Sequence, residues 1–314
     1  MSGSGDCRIA ISEALLEIAK EDPRVYVLCS DSRGSAAVSA FADTLPGQFV
    51  ECGIAEQDEV GIAAGLAAMG KKPFVCAPAS FLSARALEQV KVDVAYSGQN
   101  VKLIGVSGGI SYGALGYTHH STHDIAAMRA IAGIEIYIPS DATQAKSLIH
   151  ALAGRNAAAY VRVGRGKVPN IYAEGCLFEA GKASLLRDGG DLTIIAAGEM
   201  VFHALGAAKL LEQRCGIAAR VLDMFTIKPL DEAAILRAAE QTGRIATIEE
   251  HSAHGGLGGA VAETVCGSRR APVPVLIIGL PDEPAVAGKS GDVFAHYAMD
   301  GEGAARRIEA WLRA

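Results

Sequence analysis

Short runs of apolar and β-branched residues alternate with helical patterns along the chain, and this alternation limits the possible folds more than any other feature. The first half contains four such runs, RVYVLCS, KPFVCAP, NVKLIGVS and IEIYIPS, interleaved with helical patterns such as IAISEALLEIAKE and DATQAKSLIHALAG. Continuous apolar runs are typical of parallel strands that helices cover on both faces. The sequence therefore predicts an α/β fold built on doubly wound parallel sheets.

A second set of strands and helices follows a break in this pattern. The segment KVPNIYAEGCLFEAGK has little periodicity and several turn-forming residues, which indicates a linker. After it, DLTIIAAG, IAARVLDM, GRIATIEE and PVPVLIIG predict strands, and helices are expected near residues 200–214, 231–242, 257–267 and 302–313. A chain of 314 residues is long enough for two domains. We expect one doubly wound domain over residues 1–175 and another over residues 176–314.

Charge, cysteine content and hydropathy argue against several classes of function. The chain has 29 basic and 35 acidic residues, a net charge of −6, and no basic cluster, so a nucleic-acid partner is not expected. Its seven cysteines are odd in number and widely spaced, without a C-x-x-C pair, which is typical of reduced thiols in a cytoplasmic protein. No apolar run approaches the roughly 20 residues that cross a bilayer, and the first residues lack a signal-peptide pattern. Neither membrane insertion nor secretion is expected.

The stretch VECGIAEQDEVGIAAGLAAMG, residues 50–70, combines acid and small residues in an unusual way. Three carboxylates open the predicted helix, and its remaining residues are mostly glycine and alanine (Glu56, Asp58, Glu59; Gly61, Ala64, Gly65, Ala68). Carboxylates in a first turn are stabilised by the helix dipole and by unpaired N–H groups. A small face also permits tight packing inside a domain. Helix stability and internal packing are therefore one explanation of this stretch, and a functional role is the other.

The order of the motifs favours the functional explanation. GIAEQ and its small-residue helix are followed by SFLSARALEQV, GYTHHSTHDIAAMRAI, IPSDATQA and VRVGRG. This series resembles the C-terminal half of transketolase, and in particular the separate subunit of split bacterial transketolases. Residues 1–170 resemble the pyrimidine-binding domain, and IEEHSAHGGLGGAV lies in a region similar to the C-terminal domain. The resemblance implies transfer of a two-carbon ketol unit from a ketose to an aldose, with thiamine diphosphate as cofactor.

The resemblance also implies roles for residues at the cofactor. Glu56 would hydrogen-bond the pyrimidine ring and favour the imino form that acts as the base. Ile54 and Asp31 would contact the cofactor, and Phe81 would stack on its pyrimidine, although a phenylalanine at a strand end is also common in a core. His119 would lie beside the reacting carbon, where a histidine can transfer a proton or stabilise a developing alkoxide.

Further residues match substrate contacts of the family. Ser35 and Arg165 match the serine and arginine that hold a sugar phosphate, and an arginine fork suits such an anion. Arg8 matches a third contact, with an ordinary surface position as the alternative. His120 stands where many relatives have glutamine, which leaves its role less defined.

Two positions depart from the family pattern. Leu115 replaces the usual aspartate of GEDGxTH, and Ser107 replaces a histidine twelve positions before His119. The family residues at both positions contact hydroxyl groups of the sugar. We therefore expect an unusual donor, such as a branched sugar phosphate or a sulfosugar.

The chain also lacks the motif that holds the cofactor's other end. Family members bind the diphosphate and Mg²⁺ through GDG followed some thirty residues later by asparagine, and this sequence has no GDG. The histidines of THHSTH do not match common zinc signatures, so no metal site is expected here. We expect a partner, an N-terminal transketolase subunit that carries GDG and Mg²⁺, together with self-association to a dimer in an α2β2 assembly.

Three other functions remain possible at this point. The β subunit of a 2-oxo acid dehydrogenase E1 component and a deoxyxylulose-phosphate-synthase-like enzyme share the glutamate and the domain order. A non-catalytic assembly subunit would keep the fold without the chemistry. The THH motif and Arg165 favour transketolase over the first two, and Glu56 with His119 argue against the third.

Overall fold

The computed structural model describes residues 3–268 and 272–314. The first half forms a sheet in the strand order β12-β6-β7-β5-β4-β2-β3, in which six strands are parallel to their neighbours. These strands are β2 (Val25–Cys29), β3 (Phe49–Glu51), β4 (Lys72–Pro78), β5 (Lys102–Val106), β6 (Ile134–Tyr137) and β7 (Ala158–Arg162). The seventh strand, β12 (Thr226–Lys228), comes from the second half and runs antiparallel to β6.

Helices cover both faces of this first sheet. They are α1 (Cys7–Glu21), α2 (Ser39–Thr44), α3 (Glu56–Ala68), α4 (Ala79–Ala84), α5 (Leu87–Gln89), α6 (Asp124–Arg129) and α7 (Ala142–Gly154). A π-helical segment, Val90–Tyr96, follows α5, and 3-10 turns span Pro46–Gln48 and Gly113–Leu115. Successive strand residues point to opposite faces, so Val75 and Phe74 belong to two different core clusters. This two-sided burial explains why the strand sequences are apolar without interruption.

The second half is built on a five-stranded sheet in the order β14-β13-β10-β11-β9. Its strands are β9 (Ser184–Arg187), β10 (Leu192–Ala196), β11 (Ala219–Asp223), β13 (Ile245–Ser252) and β14 (Val275–Leu280). Only β9 pairs in the antiparallel sense among these described strands. The helices are α8 (Met200–Cys215), α9 (Glu232–Thr242), α10 (Leu257–Gly267), α11 (Ser290–His296) and α12 (Gly301–Arg313). The α/β class and the two doubly wound sheets are therefore confirmed.

The two halves share a core and are not separated by a simple linker. The first three residues of the predicted linker form β8 (Lys167–Pro169), which pairs with β1 (Ser4–Asp6) near the start of the chain. One apolar cluster contains Leu28 and Val75 of the first sheet together with Ile195 and Ile235 of the second half. The exact limits at residues 175 and 176 stay a prediction. The seven cysteines are free, and no helix in the described part is long and apolar enough to span a membrane.

Candidate active site

The residues singled out from the sequence gather at the carboxyl edge of the first sheet. Asp31 follows β2, Glu56 begins α3 shortly after β3, and Phe81 lies in α4 directly after β4. Ser107 is the residue after β5. Loops at the carboxyl ends of parallel strands meet at one edge, which is where ligands bind in open α/β sheets. The structure thus brings these residues to one edge without close sequence spacing.

Glu56 is buried at this edge and has a cationic partner. Its side chain is 2% exposed, and its Oε2 accepts a hydrogen bond of 2.6 Å from Nη1 of Arg85. The guanidinium carbon of Arg85 lies over the face of Phe81, 4.6 Å from the ring centroid. The carboxylate and the aromatic face are therefore joined by one guanidinium group, which the sequence pattern did not indicate.

A pocket of about 460 Å³ opens beside these groups and is lined by Ser80, Phe81, Ala84, Arg85, Tyr117, Thr118, His120 and His123. Two buried polar atoms of this lining, Ser80 Oγ and His120 Nδ1, have no hydrogen-bond partner among the described residues. Buried polar atoms are rarely left unsatisfied, so a ligand that offers hydrogen-bonding groups suits this pocket.

His119 stands in a line of rings that connects the pocket to Arg165. Its ring meets Phe81 edge-on at a centroid distance of 5.6 Å and Tyr112 at 5.4 Å. The guanidinium carbon of Arg165 lies over Tyr112, 4.9 Å from its centroid. Thr118 Oγ1 and His119 Nδ1 are 3.0 Å apart. The histidine is thus placed between an aromatic pocket and a cation, as a proton-transfer group between a cofactor and an anionic substrate needs to be.

His120 differs from His119 in being almost fully buried. Its Nε2 lies 3.3 Å from the carbonyl oxygen of Gly113, and desolvation lowers its pKa. A neutral imidazole is therefore favoured at neutral pH. With Nε2 donating to the carbonyl, Nδ1 is left as an acceptor toward the pocket region.

The predicted substrate residues are only partly assembled. Nη1 of Arg8 donates to the main-chain oxygen of Ser35 at 2.9 Å, but Nε and Nη2 of Arg8 are bonded to Asp6. Asp31 has a positive φ of 48° and donates its N–H to Glu51 at 2.8 Å. The structure therefore places Arg8 beside Ser35 while binding most of its guanidinium to an internal carboxylate.

The remaining predicted positions differ in exposure. Ile54 is 77% exposed, just before α3. Leu115 is 54% exposed on the loop that carries His119. Ser107 is buried with a φ of 58°, and its Oγ has no partner in the described part of the chain. The two departures from the family pattern are thus an apolar side chain open to solvent and a small buried hydroxyl.

Sequence reasoning missed a buried ionic network behind this loop. Arg162 in β7 bonds Asp124 Oδ2 at 3.0 Å and the main-chain oxygen of Glu250 at 2.7 Å. Glu250 in turn accepts from the N–H of Ile110 at 2.8 Å, and burial raises its pKa to about 7. The signal was present in the sequence, because charged residues interrupt the apolar strands YVRV and ATIEEH.

Glu59, three residues after Glu56, was also not singled out as a site residue. It is fully buried, accepts a hydrogen bond from Ser30 Oγ, and its pKa is raised to about 7, mainly by burial. Across residues 3–268 and 272–314, no group of three or more His, Cys, Asp or Glu side chains is arranged to hold a metal ion.

Comparison with known proteins agrees with this geometry. The family model "Transketolase, pyrimidine binding domain" matches residues 5–170, and "Transketolase, C-terminal domain" matches residues 181–303. One of the subunits of the apulose-4-phosphate transketolase of Phocaeicola vulgatus is 56% identical over 95% of this chain and 94% of its own length. A 6-deoxy-6-sulfo-D-fructose transketolase subunit of Clostridium sp. strain MSTE9 is 42% identical over 86% and 83%.

A solved structure extends the similarity to the fold. A split-gene transketolase, described as an inactive β4 tetramer, superposes with a TM-score of 0.87 at 35% identity and covers 98% of both chains. Fold and site together define the C-terminal portion of an enzyme from a thiamine-diphosphate-dependent family. The chain belongs to the transketolase family. It is a transketolase subunit, a transferase that works with a partner subunit.

Proposed function

We propose that this chain supplies the pyrimidine-binding side of a transketolase active site completed by its partner. The observation that carries the proposal is the buried Glu56 carboxylate beside the face of Phe81, at a pocket that His119 borders. A carboxylate and an aromatic face suit an aminopyrimidine, and the unpartnered Ser80 Oγ and His120 Nδ1 of the described chain fit further polar atoms.

The chemistry divides between cofactor and protein. Thiamine diphosphate, when bound, supplies the carbanion that attacks the donor ketose. Glu56 holds a proton on the pyrimidine, Phe81 orients the ring, and His119 exchanges a proton with the substrate oxygen. Ile54 and Asp31 complete the contacts toward the cofactor. These roles use groups that the structure already holds within one pocket edge.

For the substrate we propose a branched ketose phosphate of the apulose 4-phosphate kind. The relative at 56% identity carries that substrate in its name, whereas the sulfosugar relative is more distant. Arg165, with Arg8 and Ser35 nearby, would bind the phosphate, and Tyr112 supports Arg165 from below. Leu115 offers an apolar surface where the common pattern has a carboxylate, which suits a sugar with a hydroxyl missing or moved.

We assign the diphosphate and Mg²⁺ to a partner subunit that carries the GDG motif, in an α2β2 complex in a cytoplasmic setting. The exposed face of α3 is the proposed contact. Gly61 and Gly65 have open space around them, with no described heavy atom within 4 Å of an added Cβ, and Met69 at the end of the helix is 80% exposed. Ala64, by contrast, packs inside the chain. Close approach of a partner helix needs small residues of this kind.

The test is activity of the assembled complex with a Glu56→Gln variant. Glutamine keeps the shape but cannot share the proton, so turnover with a branched ketose phosphate should fall at least ~10²-fold. Asp58→Asn is the matched control, because Asp58 lies in the same first turn of α3 but is exposed. Its turnover should stay near wild type.

Two results would contradict the proposal. Near wild-type turnover of the Glu56→Gln complex would remove the assigned role of the carboxylate. Turnover of 2-oxo acids in place of every ketose tested would move the enzyme to the 2-oxo acid dehydrogenase or deoxyxylulose-phosphate-synthase reaction.

A further inference from the structure

Arg85 makes, within this chain, the two contacts that the proposed function assigns to the cofactor's pyrimidine ring. It caps the end of α4, donates to Glu56 Oε2 at 2.6 Å and lies 4.6 Å over the Phe81 ring. It also lines the pocket beside both residues. The guanidinium therefore fills the space between the carboxylate and the aromatic face.

The chemistry of the guanidinium explains why it suits this position. It is planar, cationic and rich in N–H donors, and it stacks on aromatic rings while donating to a carboxylate. A protonated aminopyrimidine is also planar, cationic and an N–H donor. One face of Phe81 and one oxygen of Glu56 cannot serve both groups at the same time.

We propose that Arg85 occupies the pyrimidine position in the free chain and must leave Glu56 before the cofactor ring can bind. The inference rests on the proposed function. Arg85 is a positioning residue in this account, because it keeps the buried Glu56 paired until the ring replaces it. A buried carboxylate without a partner is costly, so a stand-in cation keeps the empty pocket formed.

The side chain has a way out of the pocket. Arg85 is 45% exposed, whereas Glu56 is 2% exposed, so the guanidinium can rotate into solvent while the carboxylate stays in place. The ring must compete with an intramolecular, charge-assisted hydrogen bond. Binding of the pyrimidine by the free chain is therefore weakened, and contacts made by the partner subunit at the cofactor's other end are needed to displace Arg85.

The experiment measures binding of thiamine to the isolated full chain by ligand-observed NMR, for wild type and Arg85→Met. Methionine keeps an apolar stem on Phe81 and removes the competing charge, so the affinity should rise by about tenfold. Arg214→Met is the matched control, since Arg214 also pairs with a glutamate, Glu302, but lies in the second half. Its thiamine affinity should equal that of wild type.

Arg85→Gln covers the case in which Arg85→Met fails to fold, because the glutamine amide still donates to Glu56 without a charge. Thiamine affinity equal to or weaker than wild type in the folded variant overturns the inference. So does a structure of the cofactor-bound complex in which Arg85 still contacts both Glu56 and Phe81.

A separate titration distinguishes this inference from the proposed function. Calorimetry of thiamine diphosphate with Mg²⁺ is run on the wild-type complex with its partner. If that complex binds the cofactor while Arg85→Met gains nothing, only the role of Arg85 falls. If the complex binds no cofactor, the proposed function falls and the role of Arg85 falls with it.

Discussion

Replacing Glu59 by glutamine should change how the stability of the chain depends on pH. Glu59 lies in α3, fully buried, with Oε2 bonded to Ser30 Oγ and Oε1 without a partner among the described atoms. Burial raises its pKa from 4.5 to about 7, despite the opposing hydrogen bond from Ser30. The folded chain therefore binds this proton more tightly than the unfolded chain does.

The sign and size of the effect follow from linkage. Because the folded pKa lies above the unfolded one, stability is lost as pH rises from the unfolded pKa through the folded one. A shift of this size corresponds to about 3 kcal/mol in total, at about 1.4 kcal/mol per pKa unit, and most of it falls between pH 5 and pH 8. Glutamine has the same shape and does not titrate. Glu59→Gln should therefore gain about 2 kcal/mol over wild type between these two pH values.

The assay is urea unfolding followed by circular dichroism at pH 5, 6, 7 and 8, for wild type and variant. The difference between the two proteins isolates Glu59, because other buried carboxyls with raised pKa values, such as Glu249 and Glu250, are present in both. Asp58→Asn, at an exposed position of the same turn, should leave the pH dependence unchanged. A constant difference between Glu59→Gln and wild type across this range would refute the reasoning.

Three further predictions concern the site and its support. Tyr112→Leu should raise KM for a phosphorylated ketose several-fold with little change in kcat, while Tyr112→Phe keeps the ring under Arg165 and should retain wild-type KM; steady-state kinetics of the complex check both, and equal losses in the two variants would contradict the role of the ring. Arg162→Met should lower the free energy of unfolding by about 3–5 kcal/mol, since it strands the buried Asp124, and urea unfolding measures it. The isolated chain should show no micromolar, Mg²⁺-dependent binding of thiamine diphosphate by calorimetry, and such binding would mean that it holds the diphosphate itself.

The regular parts of the fold could be predicted because burial on both faces leaves a strong pattern. KPFVCAP coincides with β4, and the helix expected near residues 257–267 coincides with α10. The strand β12 was missed. Its three residues, Thr226–Lys228, form an antiparallel edge strand that reaches back to β6 across the expected domain limit. A segment this short has no periodicity of its own, and its pairing is set by tertiary packing.

The site was predictable only where a motif specified it. Glu56, Phe81 and His119 come from three separate motifs, and the structure places them around one pocket. Arg85 and Tyr112 gave no such signal, because one is an arginine on a short helix and the other a tyrosine in a loop. Their roles depend on contacts with residues 29 and 7 positions away, which spacing alone does not define.

The second half of the chain acts on the site through the loop that carries His119. The pocket lining comes from the first half, yet the loop is held from outside it. Glu250 accepts the N–H of Ile110, and Ser252 donates its N–H to the carbonyl of Thr122 at 2.9 Å. Gly109 has a φ of 60°, and a Cβ there would lie 2.3 Å from the Glu250 carboxyl carbon, so a side chain at this position would push the carboxylate away.

This arrangement gives the C-terminal half a physical role in the reaction. Arg162 binds the main chain of Glu250 and the carboxylate of Asp124, so the strand, the loop and β13 form one connected unit. His119 lies within that loop, between contacts at Ile110 and Thr122. A loop fixed at both ends spends less entropy when a substrate orders it. The two sheets must therefore stay together for the histidine to hold its position, which is a reason for both to lie on one polypeptide even where the cofactor's diphosphate site lies on another.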